Sequence, residues 1–585
     1  MEEDFSKILK DKGIDLIEEI SFESKREEIE FLNKIEKIEK NNVKMPFING
    51  DIFHIIKELP EDKETIDRFK QINWEDLEEI IKNHSTKRRE KIYNNYISFI
   101  RNELGIYKGE DVGVQKSLLE DETPKGKDNS NFNQDLYVKR ENFDIESDVV
   151  EKARRFNVDI LFDYKEPPKK LSVADFTLYF NRRLQYFTNL LSSRVSAENV
   201  TNISRLKDLF STNTQVTIIG LISDISQTKN GHYMVTIEDK SGEIKCFVNK
   251  DNTDLLNSME NFCLDEGIGV KGKVGNNIIW TDEFIIPSPP NSSEMRKTDT
   301  EEYVVFISDL HFGAKVFQDE AFQKFLDWIN GETQNEELNK IAKKVSYVVI
   351  PGDIIEGIGI YPNQGKDARI LNTRGQYNEA VRWLSQIPSD IGIIIIPGNH
   401  DTDRLSEPQP KLPYDKAYAL YNMSNVIILS NPSIVKLFNK DANGGVDVYM
   451  YHGGSFFYYA DKIQHLREKG GAKVPEEVVK FLLEKRHVAP SHGATLYIPD
   501  SQNDPLVIRK MPDFFACGHT HKLSLANYKG CTILSCGCWV EMSEYQEKMG
   551  MFPDVGKAIV VNTKTRKPRI LNFYTEKYKR DEGEE

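Results

Sequence analysis

The sequence predicts a multidomain α+β protein with a helical N-terminal domain, a small β-barrel and a C-terminal α/β sandwich. The chain has 585 residues, which is more than a single hydrophobic core usually serves. Its apolar residues first recur at helical spacing, then alternate along short strands, and finally form buried strands that alternate with helices. Each change of period marks the start of a new domain.

The overall composition excludes several classes of protein. No stretch approaches the ~20 consecutive apolar residues of a membrane-spanning helix. The first residues, MEEDFSKILKDKG, lack the apolar segment of a signal peptide, so we expect a cytoplasmic location. The net charge of -15 disfavours a protein that coats DNA through a broad basic surface, because such binding depends on counterion release. Any contact with nucleic acid is expected to be local or assisted by a partner.

The six cysteines predict reduced thiols, because none of them forms a CxxC pair. Cys536 and Cys538 form a CxC sequence that could be half of a metal site. The alternating pattern around them, and the lack of a second pair, favour a strand instead.

Residues 1–105 are expected to form the helical N-terminal domain. The segments NWEDLEEIIKN and KIYNNYISFIRNEL each carry apolar residues on one helical face: Leu77, Ile80 and Ile81, then Ile92, Tyr96 and Phe99. The basic run KRREK at 87–91 is typical of a solvated helix face, although contact with phosphate is an alternative. Residues 106–145 are polar and rich in Gly, Asn and Asp, which predicts a flexible linker.

Residues 146–200 are expected to be a helical connector. Ser172 and Asp175 form a possible capping box at the start of a helix over 172–195. One side of this helix carries the apolar stripe Phe176, Phe180, Phe187 and Leu191. The stripe predicts core packing.

Residues 201–290 carry five short alternating strands separated by glycine turns, as in QVTIIGLISDI and GEIKCFVNK. This pattern predicts a small Greek-key barrel of the OB type, a fold that binds single strands or docks proteins. Tyr233, Phe247 and Trp280 could stack on bases, but packing in the core or at an interface is the favoured interpretation. Residues 291–302 are expected to be a second linker.

Residues 303–585 alternate strands and helices, and polar side chains follow the strands. The stretch IGIIIIPGNHD at 391–401 begins as a strand buried on both faces. Potential metal ligands follow five predicted strands: Asp309 and His311, Asp353, Asn399 and His400, His452, and His519 and His521. Ligands of α/β sheets bind beyond the carboxyl ends of strands, so we expect these side chains to converge on one crevice.

A set of carboxylate, imidazole and amide ligands suits two divalent ions such as Mn²⁺, Fe²⁺ or Zn²⁺. Two such ions about 3.5–4 Å apart can polarise a phosphoryl group and generate a hydroxide near neutral pH. The pattern therefore predicts hydrolysis of a phosphoester.

The order D-x-H, GD-x-x-E, GNHD, H and GHTH resembles the calcineurin-like metallophosphoesterase superfamily. The resemblance implies that one metal is held by Asp309, His311, Asp353 and His521, and the other by Asp353 as a bridge with Asn399, His452 and His519. It also implies that His400 lies near the leaving oxygen and that Glu356 is its acidic partner. The Ser/Thr protein phosphatase pattern has GDxxDRG and GNHE, and the departures at Glu356 and Asp401 disfavour that activity.

The wider arrangement, with DFTLYFNRRL, ISDLHFGAKVF, IPGDIIEGIGIYPNQ and KRHVAPSHG, resembles the small subunits of archaeal family D replicative DNA polymerases, also called polymerase II. This resemblance implies a 3′–5′ exonuclease that degrades single-stranded DNA and proofreads for a separate large catalytic subunit, in a heterodimer or higher assembly. Two divalent ions are implied, with Mn²⁺ expected for activity and Fe²⁺ or Zn²⁺ as alternatives. Two other hypotheses remain open: a noncatalytic scaffold subunit and a stand-alone metallophosphoesterase.

Overall fold

The protein is described by a computed structural model, which covers residues 9–10, 14–16, 25–40, 47–48, 50–59, 143–165, 170–195, 200–210, 212–290, 295–361, 364–401, 404–500, 502–542 and 550–575. The chain divides into two compact units, Met1–Phe132 and Asn133–Glu585. Within the described ranges, every helix is too short or too polar to cross a membrane.

The described part of the first unit contains two helices and a two-stranded parallel sheet. Its elements are β1 (Asp15–Leu16), α1 (Lys25–Lys40), β2 (Phe47–Ile48) and α2 (Gly50–Glu58). The ring of Phe31 in α1 lies 4.6 Å from the ring of Phe53 in α2, so the two apolar faces pack together. The segments singled out at 73–83 and 91–104, the basic run at 87–91 and most of the expected linker at 106–145 lie outside the described residues.

The second unit begins with a helix, a strand and a longer helix: α3 (Ile145–Arg155), β3 (Asp159–Asp163) and α4 (Val173–Ser192). The predicted capping box is present at the start of α4, where the Asp175 carboxylate accepts the Ser172 backbone N–H at 2.8 Å. Of the predicted stripe, Phe187 and Leu191 are buried. The stretch expected to be a helical connector thus also contributes a strand.

The barrel follows α4 and is closed. Its elements are β4 (Gln215–Gln227), β5 (Tyr233–Asp239), β6 (Gly242–Val248), α5 (Thr253–Met259), β7 (Gly267–Val274) and β8 (Ile278–Ile285), paired in the order β4-β5-β6-β8-β7. Alternate strand residues such as Ile218, Val235 and Val270 fill its interior. The predicted OB-like barrel is confirmed. Its Tyr233 and Phe247 are partly buried, whereas Trp280 is half exposed on the outer surface.

The C-terminal part consists of two six-stranded sheets that face each other. The first has the order β12-β11-β10-β9-β18-β19, formed by Val426–Ile428, Gly392–Ile396, Val345–Pro351, Tyr303–Phe306, Lys557–Asn562 and Lys567–Asn572 respectively. Strands β9 to β12 are parallel, and β18 and β19 extend this sheet in antiparallel pairing. The helices α6 (Asp319–Ile329), α7 (Glu336–Ala342), α8 (Thr373–Leu384) and α9 (Tyr414–Asn422) belong to this half of the sandwich.

The second sheet has the order β16-β17-β15-β14-β13-β3, in which β13 to β17 are Ser433–Leu437, Val446–Met450, Phe514–Cys517, Ser524–Tyr528 and Cys531–Ser535. The helices α10 (Phe456–Lys462), α11 (Gln464–Lys469) and α12 (Pro475–Lys485) belong to this half. Strand β3 pairs antiparallel with β13 and completes one edge of the sheet. An open strand edge exposes unpaired backbone N–H and C=O groups, and β3 provides hydrogen-bond partners for those of β13.

The four isoleucines of β11 explain its continuous apolar run. Ile394 and Ile396 belong to the core between the two sheets, and Ile393 and Ile395 belong to the core under the outer helices. All four are fully buried. The predicted strand with two buried faces is confirmed, and its carboxyl end leads directly into Asn399 and His400.

Two buried ion pairs join the barrel and the preceding helix α4 to the sandwich. The Arg183 guanidinium of α4 lies 2.7 Å from the Asp504 carboxylate and also donates to the carbonyl of Asp265 in the barrel at 3.2 Å. The Lys485 ammonium at the end of α12 lies 2.6 Å from the Glu266 carboxylate. Because these charges are almost completely buried, separating the two parts would leave unpaired charges in an apolar environment.

Candidate metal centre

The side chains predicted to be ligands lie together where the carboxyl ends of the two sheets meet. Three of the strands that carry them, β9, β10 and β11, belong to the first sheet, and β14 and β15 belong to the second. Three overlapping groups of ligand atoms each lie within 4.8 Å: Asp309 with His311 and His521, His311 with Asp353 and His400, and Asp353 with His452 and His519. The site is therefore assembled from both halves of the sandwich.

The first group surrounds His311. The Nε2 atom of His311 lies 3.1 Å from Nε2 of His521 and 3.8 Å from a carboxylate oxygen of Asp353. The Nε2 atom of His521 lies 3.4 Å from the Asp309 carboxylate. Imidazole nitrogens and carboxylate oxygens that converge in this way can share one cation.

The second group surrounds His452. Its Nε2 atom lies 3.2 Å from the same Asp353 oxygen, Oδ2, and 3.0 Å from the Asn399 amide oxygen. The rings of His452 and His519 are 5.0 Å apart between centroids. Asp353 is thus common to both groups.

Neighbouring groups hold these side chains in position. His452 Nδ1 donates to the Pro351 carbonyl at 2.9 Å, so the lone pair of the ring is on Nε2, the atom that faces Asp353. The His519 backbone N–H donates to the Asp309 carboxylate at 3.0 Å, and the His400 backbone N–H donates to Asp353 at 2.9 Å. Asp353 is therefore tied to the loop of the adjacent strand β11, and Asp309 to the loop of β15 in the other sheet.

The backbone is strained at the site. Five of the predicted ligands, all of them non-glycine residues, adopt φ angles between 49° and 69°: Asp309, His311, Asp353, His519 and His521. This left-handed conformation is costly for a side chain with a Cβ and is concentrated at functional sites in proteins. Residue type and spacing contain no signal of this strain.

Two glycines of the motifs allow the loops to approach closely. A Cβ on Gly398 would collide with the Asp353 carboxylate, and a Cβ on Gly518 would collide with Ser308 and Asp309. Only glycine fits at these two positions without moving a ligand.

Asp401 is a structural residue of the site that the sequence analysis did not assign. Its buried carboxylate accepts the backbone N–H groups of Ile354, Ile355 and Gly398 at 2.8, 3.0 and 2.9 Å. It therefore joins the loop that carries Asp353 to the loop that carries His400. A carboxylate directly after the GNH sequence was the available signal.

His400 and Glu356 meet through the backbone. His400 Nδ1 lies 2.5 Å from the Glu356 carbonyl oxygen, so its N–H donates there. The Glu356 carboxylate instead lies 3.2 Å from Nδ1 of His311 and accepts the Tyr361 hydroxyl at 2.9 Å. The Gln364 amide also donates to Glu356, to the backbone carbonyl at 2.6 Å and to the carboxylate at 3.1 Å.

The electrostatics of the site fit a divalent cation. Burial raises the pKa of Asp309 to about 7, whereas at Asp353 burial is outweighed by His452, His400 and His311, which hold its pKa well below the usual range. Burial disfavours the charged form of His452, but Asp353 and Asp309 raise its pKa to about 10. Burial lowers the pKa of His519 to about 3, so this ring stays neutral as a ligand must. A cation would take the place of the protons that offset these carboxylates.

Comparison with known proteins agrees with this geometry. Residues 303–523 match the calcineurin-like phosphoesterase family, and residues 216–280 match the OB-fold nucleic acid binding domain. Fold and site together define a protein with a calcineurin-like metallophosphoesterase domain joined to an OB-fold barrel.

Relatives that match about 70% of the chain narrow this class further. The chain is 37% identical to the DNA polymerase II small subunit of Methanothermobacter thermautotrophicus, over 73% of this chain and 85% of that protein. It is 32% identical to that of Archaeoglobus fulgidus, over 69% and 78%, and 31% identical to that of Pyrococcus furiosus, over 71% and 68%. The chain belongs to the DNA polymerase II small subunit family.

Proposed function

We propose that this chain is the small subunit of a replicative archaeal DNA polymerase and that its two-cation site is a 3′–5′ exonuclease. The observation that carries the proposal is the position of Asp353, whose carboxylate lies between His311 of one group and His452 of the other. A carboxylate between two sets of histidines can bridge two cations, which suits two-metal hydrolysis. Asp309 and His521 complete the first set, and Asn399 and His519 complete the second.

Bound divalent ions, for which we propose Mn²⁺ with Fe²⁺ or Zn²⁺ as alternatives, would supply a hydroxide nucleophile and stabilise the charge of the transition state. The residues of the chain then handle the leaving group. In phosphodiester hydrolysis the P–O3′ bond breaks, its electron pair goes to O3′, and that oxygen requires a proton. Protonated His400 can donate it from Nε2, because the Glu356 carbonyl accepts the N–H at Nδ1 and prevents the ring from turning.

Burial affects this role of His400 in two opposite ways. It lowers the pKa of the His400 imidazole, which makes the imidazolium a stronger acid but reduces its population at neutral pH. Its ring lies at the partly exposed side of the site together with Asn399 and His519, whereas Asp309, His311, Asp353, His452 and His521 are buried. A DNA end would enter from the side of His400.

A large polymerase subunit is the partner that this proposal implies, and DNA is the substrate. The acidic chain needs such a partner, since its charge of -15 opposes binding of polyphosphate over a broad surface. On the barrel, Trp280 is 50% exposed and its ring lies 4.7 Å from that of Phe247, which offers a local contact for a base or for the partner. We place the complex in the cytoplasm, where the sequence analysis also expects it.

The test is digestion of 5′-labelled single-stranded DNA by the purified chain, with and without the large subunit, in Mn²⁺ and in EDTA. We expect a ladder that shortens from the 3′ end in Mn²⁺ only. A 3′-terminal phosphorothioate of the resistant stereochemistry is the matched control, and it should slow the first cleavage. If both the isolated chain and the complex leave the DNA intact in Mn²⁺, Fe²⁺ and Zn²⁺, the exonuclease proposal is wrong, and the scaffold and the stand-alone phosphoesterase are the hypotheses that remain.

A further inference from the structure

An aromatic ring borders the open side of the metal centre. Phe457 is the second residue of α10 and follows the loop that carries His452. Its neighbour Phe456 is completely buried, whereas Phe457 is 36% exposed. The ring of Phe457 lies 5.1 Å from the ring of His519, at an interplanar angle of 68°. Phe457 is therefore next to a predicted ligand and still open to solvent.

A different aromatic residue lies next to His400, which is also partly exposed. The ring of Tyr361 lies 6.1 Å from that of His400, but its hydroxyl is held between the carboxylates of Glu356 and Asp367 at 2.9 and 3.1 Å. Tyr361 supports the loop of Glu356, whereas the exposed face of Phe457 has no such task. The two partly exposed histidines of the site, His400 and His519, thus have different aromatic neighbours.

We propose that Phe457 stacks on the base of the 3′-terminal nucleotide, an inference that rests on the proposed exonuclease function. His400 donates its proton to O3′ of the penultimate nucleotide, so the chain that remains lies on the side of His400. The terminal nucleoside stays bonded to phosphorus through O5′ while the P–O3′ bond breaks, so it lies away from the chain that remains, and we place it next to His519 and Phe457. A ring there can stack on the base to be released.

Stacking on a phenylalanine suits an enzyme that removes any terminal nucleotide. Every base has a flat π face, so an aromatic platform holds all four without reading their hydrogen-bonding edges. Water supplies the hydroxyl group that joins phosphorus, His400 supplies the proton that O3′ takes up, and the proton released from water restores the protonated His400. Phe457 takes no part in this exchange. It positions the substrate and should therefore act on KM more than on kcat.

The experiment compares three oligonucleotides in Mn²⁺: one with all bases, one with an abasic 3′-terminal nucleotide and one with an abasic penultimate nucleotide. For the wild-type protein we expect kcat/KM to fall about tenfold when the terminal base is missing and to change little when the penultimate base is missing. Phe457→Ala should raise KM about tenfold for the complete substrate. It should also abolish the difference in kcat/KM between the complete and the terminally abasic substrates. Phe457→Trp should retain it, and Phe552→Ala, which truncates another exposed phenylalanine, should behave as the wild type.

The outcomes separate this inference from the proposed function. A wild-type protein that digests the complete and the terminally abasic DNA equally, or a Phe457→Ala variant that still distinguishes them, overturns the stacking role while the exonuclease stands. An inactive wild-type protein overturns both. A fluorescent 2-aminopurine at the 3′ end, bound in Ca²⁺, gives a second readout: it should be quenched by the wild-type protein and less by Phe457→Ala.

Discussion

The Nδ1 atom of His400 lies 2.5 Å from the main-chain carbonyl oxygen of Glu356. The Glu356 carboxylate contacts a different histidine, with an oxygen 3.2 Å from Nδ1 of His311. The two histidines thus depend on different atoms of one residue. A side-chain substitution at Glu356 can remove the support of His311 and keep that of His400.

Substitution of Glu356 by Gln should therefore weaken metal binding more than it impairs proton donation. The backbone contact to His400 remains, but His311 loses the charge of its carboxylate partner. We expect metal affinity to fall about 10–100-fold, as for other partners of metal-bound histidines. At saturating Mn²⁺, kcat should stay within a few fold of the wild-type value. Titration of activity against Mn²⁺ concentration measures both quantities.

The contrary result has a clear meaning. A loss of kcat at saturating metal as large as that of a His400 variant would show that the Glu356 carboxylate assists proton donation directly, as the family resemblance implies.

Substitution of His400 by Asn should leave metal binding intact and reduce kcat about 10²–10⁴-fold, the usual contribution of a general acid. The backbone N–H of residue 400, which holds Asp353, is retained in this variant. Metal content measured by elemental analysis is the control. Wild-type rates of digestion would refute the role of His400.

Substitution of Asp353 by Ala should lower the metal content of the protein from two ions per chain to less than one. The reason is that its carboxylate lies within 3.8 Å of His311 and 3.2 Å of His452, so both groups lose a ligand. Substitution of Asn399 by Ala, which affects only the His452 group, should remove at most one ion. Two ions retained in the Asp353 variant would contradict the bridge.

Acidification should destabilise the protein through His487. Burial and the nearby Arg183 guanidinium together lower the pKa of His487 from 6.5 to about 4, although Asp504 acts in the opposite direction. Between these two pH values the unfolded chain binds a proton that the folded protein excludes, so the free energy of unfolding falls as the pH falls. Protonation of His487 over this whole range lowers the free energy of unfolding by about 3 kcal/mol. Burial alone would raise the pKa of its partner Asp504, but His487 and Arg183 outweigh burial and hold this pKa low. Protonation of Asp504 therefore lowers the free energy of unfolding further at still lower pH.

Urea unfolding at pH 7 and pH 4.5 measures this effect. His487→Gln keeps a donor for Asp504 and should show a smaller loss of stability between the two pH values. His492→Gln, at an exposed position of the following loop, should lose as much as the wild type. Equal losses in all three proteins would exclude His487 as the cause.

The predicted ligands were accessible to sequence analysis because each is a polar residue directly after a short apolar strand, a local pattern. Glu356 shows the limit of this approach: its presence near the site was predicted, but the choice of His311 by its carboxylate depends on loop geometry. Asp401 looked like a departure from a motif until its three backbone donors were visible. Strand β3 was missed because five residues, DILFD, are too few for a period to emerge and its pairing partner lies far along the chain.

The buried pairs of Arg183 with Asp504 and of Lys485 with Glu266 have a mechanical consequence. A hinge motion between the barrel and the sandwich would separate these buried charges or expose them to water. The barrel and the sandwich are therefore expected to move together as one rigid body. Any protein that binds the barrel therefore also fixes the orientation of the open side of the candidate metal centre, even without contact with a predicted ligand.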